Sequence, residues 1–272
     1  MTDNLNIDNI YFILVRPVYL GNIGSMARLL KNFGFTKLRL VEAPRNYKDA
    51  EARKMAVGAF DILKESETFE TLQDAVADMN FVVGTTAGQQ RNLELLPLQG
   101  AVARLHGLGR TNQIAIVLGD ERNGLSNHEL NSCHLLTKIE TSDNFPSLNV
   151  AQAACVIAYS LATCKAPTAQ PDKSQNAMPA SVTTNLLNPE LELPIGDELN
   201  SLFEQIGELL EHIQFYRRFN RETVTNELRR FYYKATPTKR EAALLKGVLH
   251  KLNHSLTSTG QAIEDGKLPH NT

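Results

Sequence analysis

The stretch YFILVRPVYLGNIGSMARLLKNFGF, residues 11–35, contains an apolar run, a loop and a helical pattern in immediate succession. The apolar run ends at Val15, and the loop that follows contains Pro17, Gly21, Asn22 and Gly24. A helical pattern over Gly24–Phe33 places one arginine, Arg28, within about one turn of the predicted helix start. Gly34 then suits a left-handed helix cap. This order of strand, glycine-containing loop and helix predicts the first unit of an α/β fold.

The same alternation continues to residue 165. Short apolar runs predict parallel strands buried on both faces, over Ile10–Val15, Lys37–Val41, Phe81–Gly84, Ile114–Leu118 and Leu135–Ile139. Helical patterns cover Gly24–Phe33, Ala50–Val57, Phe69–Asp78, Ser126–Cys133 and Ser147–Thr163. Ser126 and Glu129 have the spacing of a capping box. Residues 1–165 are therefore expected to form one α/β domain, with a mostly parallel sheet and helices on both faces.

A change in composition separates this region from the rest of the chain. Residues 166–195 hold five of the eleven prolines and show little periodicity, which predicts a linker. A helical pattern resumes over residues 196–257, and residues 258–272 are expected to be disordered. The net charge is −2, yet residues 215–251 hold ten Lys and Arg against three Glu. A small, basic helical appendage on an acidic body favours an anionic partner.

Membrane and redox features point to one compartment. No apolar run approaches the ~20 residues of a membrane span, and residues 1–10 lack the apolar region of a signal peptide. Cys133, Cys155 and Cys164 lack C-x-x-C spacing, so reduced and mostly buried thiols are expected rather than zinc or a disulfide framework. We expect a cytoplasmic protein that does not contact a membrane.

Four loops follow predicted strands at the sheet edge where α/β proteins bind ligands. They are RPVYLGNIGSMAR (16–28), GTTAGQQR (84–91), LGDERNGLSNHEL (118–130) and SDNFPSLNVAQAA (142–154). Glycines and small hydroxyl residues let the backbone approach a ligand closely, although ordinary turn chemistry is the alternative. GNIG lacks the spacing of a dinucleotide fingerprint, and no G-K-[ST] follows that would make a P-loop.

Acidic residues and histidines leave alternatives open. Asp120 and Glu121 suit acid–base or metal chemistry, or else a solvated acidic turn. His250 and His254 are four residues apart but lack a third ligand, so no metal site is expected. The Ala-rich helix over residues 149–162 is apolar nearly all round and should be buried, centrally or in a subunit interface.

The basic segment also allows two interpretations. Its cations interleave with the aromatic residues Phe219, Phe231, Tyr232 and Tyr233. Basic groups neutralise phosphates and aromatic rings stack on unpaired bases, which would suit RNA. Alternatively, the aromatic rings form the core of the appendage and the charges form its solvated face.

Together the loops resemble the motifs of the SPOUT superfamily of RNA methyltransferases, and within it the TrmH-like 2′-O-ribose group. GNIGSMAR (21–28) resembles the first motif, IVLGDERNGLSNHEL (116–130) the second and SLNVAQAACVIAY (147–159) the third, in the same order and at matching spacing. LRRFYYKATPTKREAALLKGVL (228–249) resembles the tail of one family in that group. The resemblance therefore covers nearly the whole chain apart from the linker.

The resemblance implies an α/β fold with a deep trefoil knot, an obligate homodimer and S-adenosyl-L-methionine as the cofactor. The cofactor-binding residues that it implies are Thr85, Thr86, Ala87, Gly119, Ile139, Ser147, Leu148 and Asn149. It implies Arg28, Asn22 and Glu121 as the catalytic residues, with Arg28 as the catalytic arginine of the first motif. The RNA contacts expected are Arg91, Arg122, Arg229 and Arg230.

The reaction implied is 2′-O-methylation of nucleotide 32 in the tRNA anticodon loop. Because a guanidinium stays protonated, we expect Arg28 to act electrostatically or by positioning rather than as a base. The alternatives are another tRNA or rRNA target, or a non-catalytic RNA-binding protein on the same scaffold. An ordinary nucleotide-dependent α/β enzyme is disfavoured because the phosphate motifs are missing.

Overall fold

A parallel β-sheet forms the centre of residues 1–192, the first of two units into which the chain divides. The computed structural model describes residues 5–87, 94–164, 191–217 and 220–264. Within these ranges the strands of the sheet are β1 (Ile10–Val15), β2 (Lys37–Val41), β3 (Glu67–Phe69), β4 (Phe81–Thr85), β5 (Leu96–Pro97), β6 (Ile114–Leu118) and β7 (Leu135–Lys138). Their order across the sheet is β3-β2-β1-β6-β4-β7-β5, and every described pairing is parallel.

Helices alternate with these strands along the chain. They are α1 (Leu20–Asn32), α2 (Ala50–Met55), α3 (Phe60–Glu65), α4 (Leu72–Ala75), α5 (Leu98–Leu108), α6 (Asn127–Asn131) and α7 (Val150–Thr163). The predicted α/β fold with a mainly parallel sheet is confirmed. The knot implied by the resemblance stays a prediction.

The central strands are the best predicted elements. β1, β2 and β6 have the predicted bounds, and β6 is buried along its whole length. The sequence pattern did not indicate β3 and β5, which are the two edge strands and only three and two residues long. Helices α3 and α5 were not predicted either, and of the helix predicted over Phe69–Asp78 only Leu72–Ala75 is α-helical.

Helix α1 begins at Leu20, four residues before the predicted start, and Arg28 therefore lies more than two turns into it. Gly21 and Gly24, which were predicted to lie in a loop, lie in helix α1. Helix α2 packs closely against this part of α1, which explains why the residues there are glycines. A Cβ on Gly24 would lie only 2.1 Å from the carbonyl oxygen of Ala52. The predicted left-handed cap is confirmed at Gly34, whose φ is +84°, with the N–H of Phe35 donating to Leu30 at 2.9 Å.

Two burial predictions need correction. The Ala-rich helix α7 is buried along one face only, with Val156 and Tyr159 on the rest of its surface 38% and 57% exposed, so it is not buried centrally, and its burial in a subunit interface stays a prediction. Of the cysteines only Cys133 is fully buried, while Cys164 is exposed, so the expectation of mostly buried thiols is wrong.

The second unit, residues 193–272, is helical in its described part. Its helices are α8 (Gly196–His212), α9 (Arg221–Ala235) and α10 (Lys239–Glu264). Leu199, Phe203 and Tyr233 form a small apolar core. α10 continues to Glu264, into the segment predicted to be disordered, and the remainder of that tail lies outside the described residues. None of the described helices combines the length and apolar character that crossing a membrane requires.

A substitution at the α1–α2 contact tests the reason for the shifted helix start. Gly24→Ala should lower the free energy of unfolding by about 1–3 kcal/mol, because the backbone of α2 occupies the space of the new methyl group. Gly21→Ala is the matched control in the same helix, since its Cβ would approach only flexible side chains, Oε1 of Glu51 at 3.3 Å and Cγ of Met55 at 3.6 Å. Denaturant unfolding followed by circular dichroism makes the comparison, and equal midpoints for both variants would contradict the packing argument.

Candidate active site

Three loops at the carboxyl ends of the strands are joined by one chain of side-chain hydrogen bonds. Asn22, in the first turn of α1, donates from Nδ2 to Oε1 of Glu121 at 2.7 Å. Asn149, which caps α7, donates from Nδ2 to Oδ1 of Asn22 at 3.0 Å. Each of these residues comes from a different motif, so the structure brings the first, second and third motifs into contact.

The Glu121 carboxylate also holds the loop between β1 and α1. Its Oε2 accepts the N–H of Val18 at 3.0 Å, and its Oε1 lies 3.5 Å from the N–H of Tyr19. Both carboxylate oxygens thus accept hydrogen bonds from fixed donors. A carboxylate in this position fixes the geometry of the loop.

Arg16, directly after β1, clamps the loop that follows β6. Its guanidinium forms a two-pronged ion pair with the carboxylate of Glu129 and donates to the carbonyl oxygen of Gly124 at 3.2 Å. Its Nε lies 3.5 Å from Oδ2 of Asp120. The φ of Arg16 is +49°, a left-handed conformation that costs an L-residue about 1–2 kcal/mol. The ion pairs offset this local strain.

Two acidic partners of Arg16, Asp120 and Glu129, are buried and have pKa values that favour the ionised form. Burial alone would raise the pKa of Glu129, but hydrogen bonds from Arg16 and a backbone N–H outweigh it, and the pKa is lowered. At Asp120, burial is outweighed by the N–H groups of Asn123 and Arg122 at 2.7 and 2.8 Å, so its pKa is also lowered. The interpretation of a solvated acidic turn is therefore wrong for Asp120, whose side chain is 5% exposed.

Glycines let the loop after β6 fold back on itself. Asp120 and Gly124 form an antiparallel bridge, and Gly124 has a φ of +66°. A Cβ on the buried Gly119 would lie 2.1 Å from the carbonyl carbon of Gly124. Residue 119 must therefore be glycine, because any side chain there would collide with the backbone of the same loop. The capping box predicted from Ser126 and Glu129 is confirmed, although the sequence did not indicate that Glu129 also pairs with Arg16.

The residues expected to bind a cofactor follow three adjacent strands. Thr85 ends β4, Gly119 follows β6 and Ile139 follows β7. The hydroxyl of Thr85 donates to the carbonyl of Val117 at 3.0 Å, which ties β4 to β6. Thr86 is half-buried and its N–H donates to β7, whereas Ala87 and Ser147 are exposed and Leu148 is half-buried. Because β6, β4 and β7 are neighbours, these loops emerge at one edge of the sheet.

The arginines expected in the site are less closely associated with it. Arg28 is exposed and lies outside the Asn22–Glu121–Asn149 chain; within the described ranges it forms no ion pair. Arg122 is exposed beside Glu121. Arg91 lies outside the described residues.

In the second unit Arg229 and Arg230 have different environments. The Arg229 guanidinium lies 4.6 Å from the ring centre of Phe203 and 3.4 Å from Oδ1 of Asn200, so it packs against α8. Arg230 is exposed on α9. Sequence reasoning treated the two as equivalent.

Sequence reasoning missed Arg16, although it lies in the first motif loop. A charged residue immediately after a buried strand and before a proline was the available signal. Its partners are more than a hundred positions away in the sequence, and its left-handed backbone could not be inferred from residue type.

Family models match both units of the chain. The SpoU rRNA Methylase family model matches residues 9–159, and the model for the TrmJ tRNA methyltransferase C-terminal domain matches residues 197–262.

Curated relatives and a solved structure cover nearly the same length. The tRNA (cytidine/uridine-2′-O-)-methyltransferase TrmJ of Klebsiella pneumoniae is 33% identical, covering 89% of this chain and 96% of that protein. TrmJ of Sodalis glossinidius is 31% identical, covering 91% and 92%. The crystal structure of TrmJ from Z. mobilis ZM4 superposes with a TM-score of 0.71 at 27% identity, covering 89% of this chain and 98% of that one. The chain therefore belongs to the SpoU methylase family and, within it, to the TrmJ family.

Proposed function

We propose that this chain is an S-adenosyl-L-methionine-dependent tRNA 2′-O-ribose methyltransferase that acts on nucleotide 32, C or U, of the anticodon loop in the cytoplasm. The observation that carries the proposal is the hydrogen-bond chain from Asn149 through Asn22 to Glu121, which joins the three motif loops. The relatives named tRNA (cytidine/uridine-2′-O-)-methyltransferases, which align with about nine-tenths of the chain, support the substrate class.

The loops at the ends of β4, β6 and β7 suit the proposed cofactor. The residues expected to bind it are small or apolar and uncharged, namely Thr85, Thr86, Ala87, Gly119, Ile139, Ser147, Leu148 and Asn149. Hydroxyls, an amide and backbone groups would hold a ribose and the polar edge of an adenine, and Ile139 and Leu148 would contact its faces. The cofactor supplies an electrophilic methyl group on a sulfonium centre.

Arg28 is the catalytic residue of this proposal. The 2′-oxygen of the target ribose loses its proton as it accepts the methyl group, so negative charge develops on it. A fixed guanidinium stabilises that charge, directly or through an adjacent phosphate, without taking a proton itself. Its exposed position, outside any described ion pair, leaves the charge of Arg28 available to substrate.

Asn22 and Glu121 act as positioning residues rather than as an acid or a base. Their polar groups are occupied by each other, by Asn149 and by the backbone at Val18. They hold the three loops in fixed relative positions, which places the cofactor loops correctly relative to α1.

The functional unit of the proposal is a homodimer in which Arg28 of one subunit serves the cofactor site of its partner. Val156 and Tyr159 on α7, together with Val18 and Tyr19 before α1, are exposed apolar side chains on neighbouring elements. A second copy would bury them in a two-fold interface. The basic second unit then adds phosphate contacts, with Arg230 facing outward and Arg122 at the first unit's site.

Single-turnover transfer of labelled methyl from S-adenosyl-L-methionine to unmodified tRNA tests the chemistry. Arg28→Ala should slow transfer by roughly 10²-fold or more, because stabilisation specific to the transition state is lost. Arg28→Lys should remain badly impaired if the planar fork anchors the substrate. Arg110→Ala, an exposed arginine before β6 at the opposite sheet edge, is the matched control. Near wild-type rates for Arg28→Ala would remove this residue from the mechanism.

Mixing two inactive variants tests the dimer. Light scattering should report about twice the chain mass of 30.2 kDa. Arg28→Ala and Asn149→Ala subunits, unfolded and refolded together, should regain activity that neither has alone, because one site of each mixed dimer has all its residues intact. A fully active monomer, or mixing without any rescue, would oppose the shared-site arrangement.

Removal of the second unit tests its contribution to tRNA binding. A chain ending at Glu192 keeps the whole first unit, including the hydrogen bond from Asn112 to the carbonyl of Leu191 at 2.7 Å. It should fold and bind S-adenosyl-L-methionine, but lose most tRNA affinity and show a flatter dependence of affinity on salt. Equal tRNA affinity and salt slope for the two chain lengths would assign the basic unit another role.

A further inference from the structure

Helix α9 divides its aromatic residues between two environments. Tyr233 is buried and Tyr232 half-buried, and their rings pack edge-on against Phe203 of α8 at 6.2 and 5.6 Å. Phe231, their neighbour, is 76% exposed. The core of the second unit therefore accounts for the tyrosines but not for Phe231.

Charged residues surround Phe231 on the helix surface. Lys234 lies one turn further on and Glu227 one turn before, on the same side of the helix, and Arg230 is adjacent in sequence. All three are exposed. An isolated aromatic ring among three charged residues, two of them positive, lacks the continuous apolar area through which a protein partner docks. On α10, by contrast, the exposed Leu244, Val248 and Leu252 recur every four residues as a continuous apolar stripe.

We propose that Phe231 is a stacking platform for an unpaired base of an RNA loop, with Lys234 and Arg230 contacting the flanking phosphates. An aromatic face binds any base, while nearby cations neutralise the backbone. A stacked base must be unpaired, so this surface distinguishes a hairpin loop from a continuous duplex. The proposal rests on the proposed tRNA function and assigns the anticodon loop, rather than the stem, to the second unit.

Binding of the full chain to a tRNA anticodon stem–loop tests this assignment. Phe231→Ala should weaken binding about tenfold, the loss of one base–aromatic stack. The slope of affinity against salt should not change, because no phosphate contact is removed. Lys234→Ala should instead reduce the magnitude of the slope of log affinity against log salt concentration by about one. Phe231→Leu keeps an apolar side chain but not the aromatic face, and should resemble Phe231→Ala.

A tryptophan substitution reports the contact directly, because the chain contains no tryptophan. Phe231→Trp should keep hairpin affinity, and its fluorescence should be quenched when the hairpin binds. Leu244→Trp, at a residue 70% exposed on α10, is the matched control and should show no such quenching. A fully paired duplex of the same stem should bind both variants without quenching the indole fluorescence of Phe231→Trp relative to the control.

Several results would overturn the assignment. They are unchanged hairpin affinity in Phe231→Ala, full affinity in Phe231→Leu, or an equal loss of affinity for the duplex. If the wild-type chain methylates tRNA while Phe231→Ala binds normally, only the stacking site fails. If the wild-type chain neither binds nor methylates tRNA, the proposed function fails with it.

Discussion

The carboxylate of Glu121 is the junction on which the site depends. It accepts hydrogen bonds from Asn22 and from the loop after β1, and Asn22 in turn accepts one from Asn149. Because Asn22 and Glu121 are half-buried and their polar groups are costly when left unpaired, displacing one of their loops disturbs the other. Arg16 supports the junction by fixing the loop that carries Glu121, through Asp120, Gly124 and Glu129.

The parts of the fold that could be predicted are those with a local signature. β1, β2 and β6 are apolar runs buried on both faces, and the capping box before α6 uses residues three apart. The start of α1 was predicted four residues too late because glycine occurs both in loops and in closely packed helices. In a loop it permits unusual backbone, and in a helix it permits close packing, which is its use at Gly24. Only the neighbouring helix distinguishes the two. The short edge strands have too few residues for any periodicity.

The site could be predicted as a set of motifs but not as a network of contacts. The motif order indicated Asn22, Glu121 and Asn149, yet not that they bond to one another. Arg16 and Arg39 show why: each pairs with residues distant in sequence. Arg39 lies in the apolar run of β2, and its guanidinium bonds Asp78 at 2.5 and 2.8 Å and Glu67 at 2.9 Å. The hydrogen bonds from Arg39 lower the pKa of Asp78 despite its partial burial. A hydropathy pattern does not show that a buried charged residue will be paired with an opposite charge from a distant part of the sequence.

The second unit shows why a count of charges overstates the RNA surface. Arg229 packs on Phe203, Arg221 pairs with Glu211 at 2.9 Å and Lys239 lies 3.9 Å from Glu198. These cations are partly neutralised or occupied within the unit, so the ten Lys and Arg of residues 215–251 do not act as ten independent phosphate contacts. In the proposed tRNA complex, selectivity would depend on a group that recognises something other than charge. Phosphates are identical in stem and loop, whereas an accessible base face exists only where pairing is broken. In the proposed tRNA complex, an exposed aromatic ring beside cations would supply the discrimination that charge alone lacks.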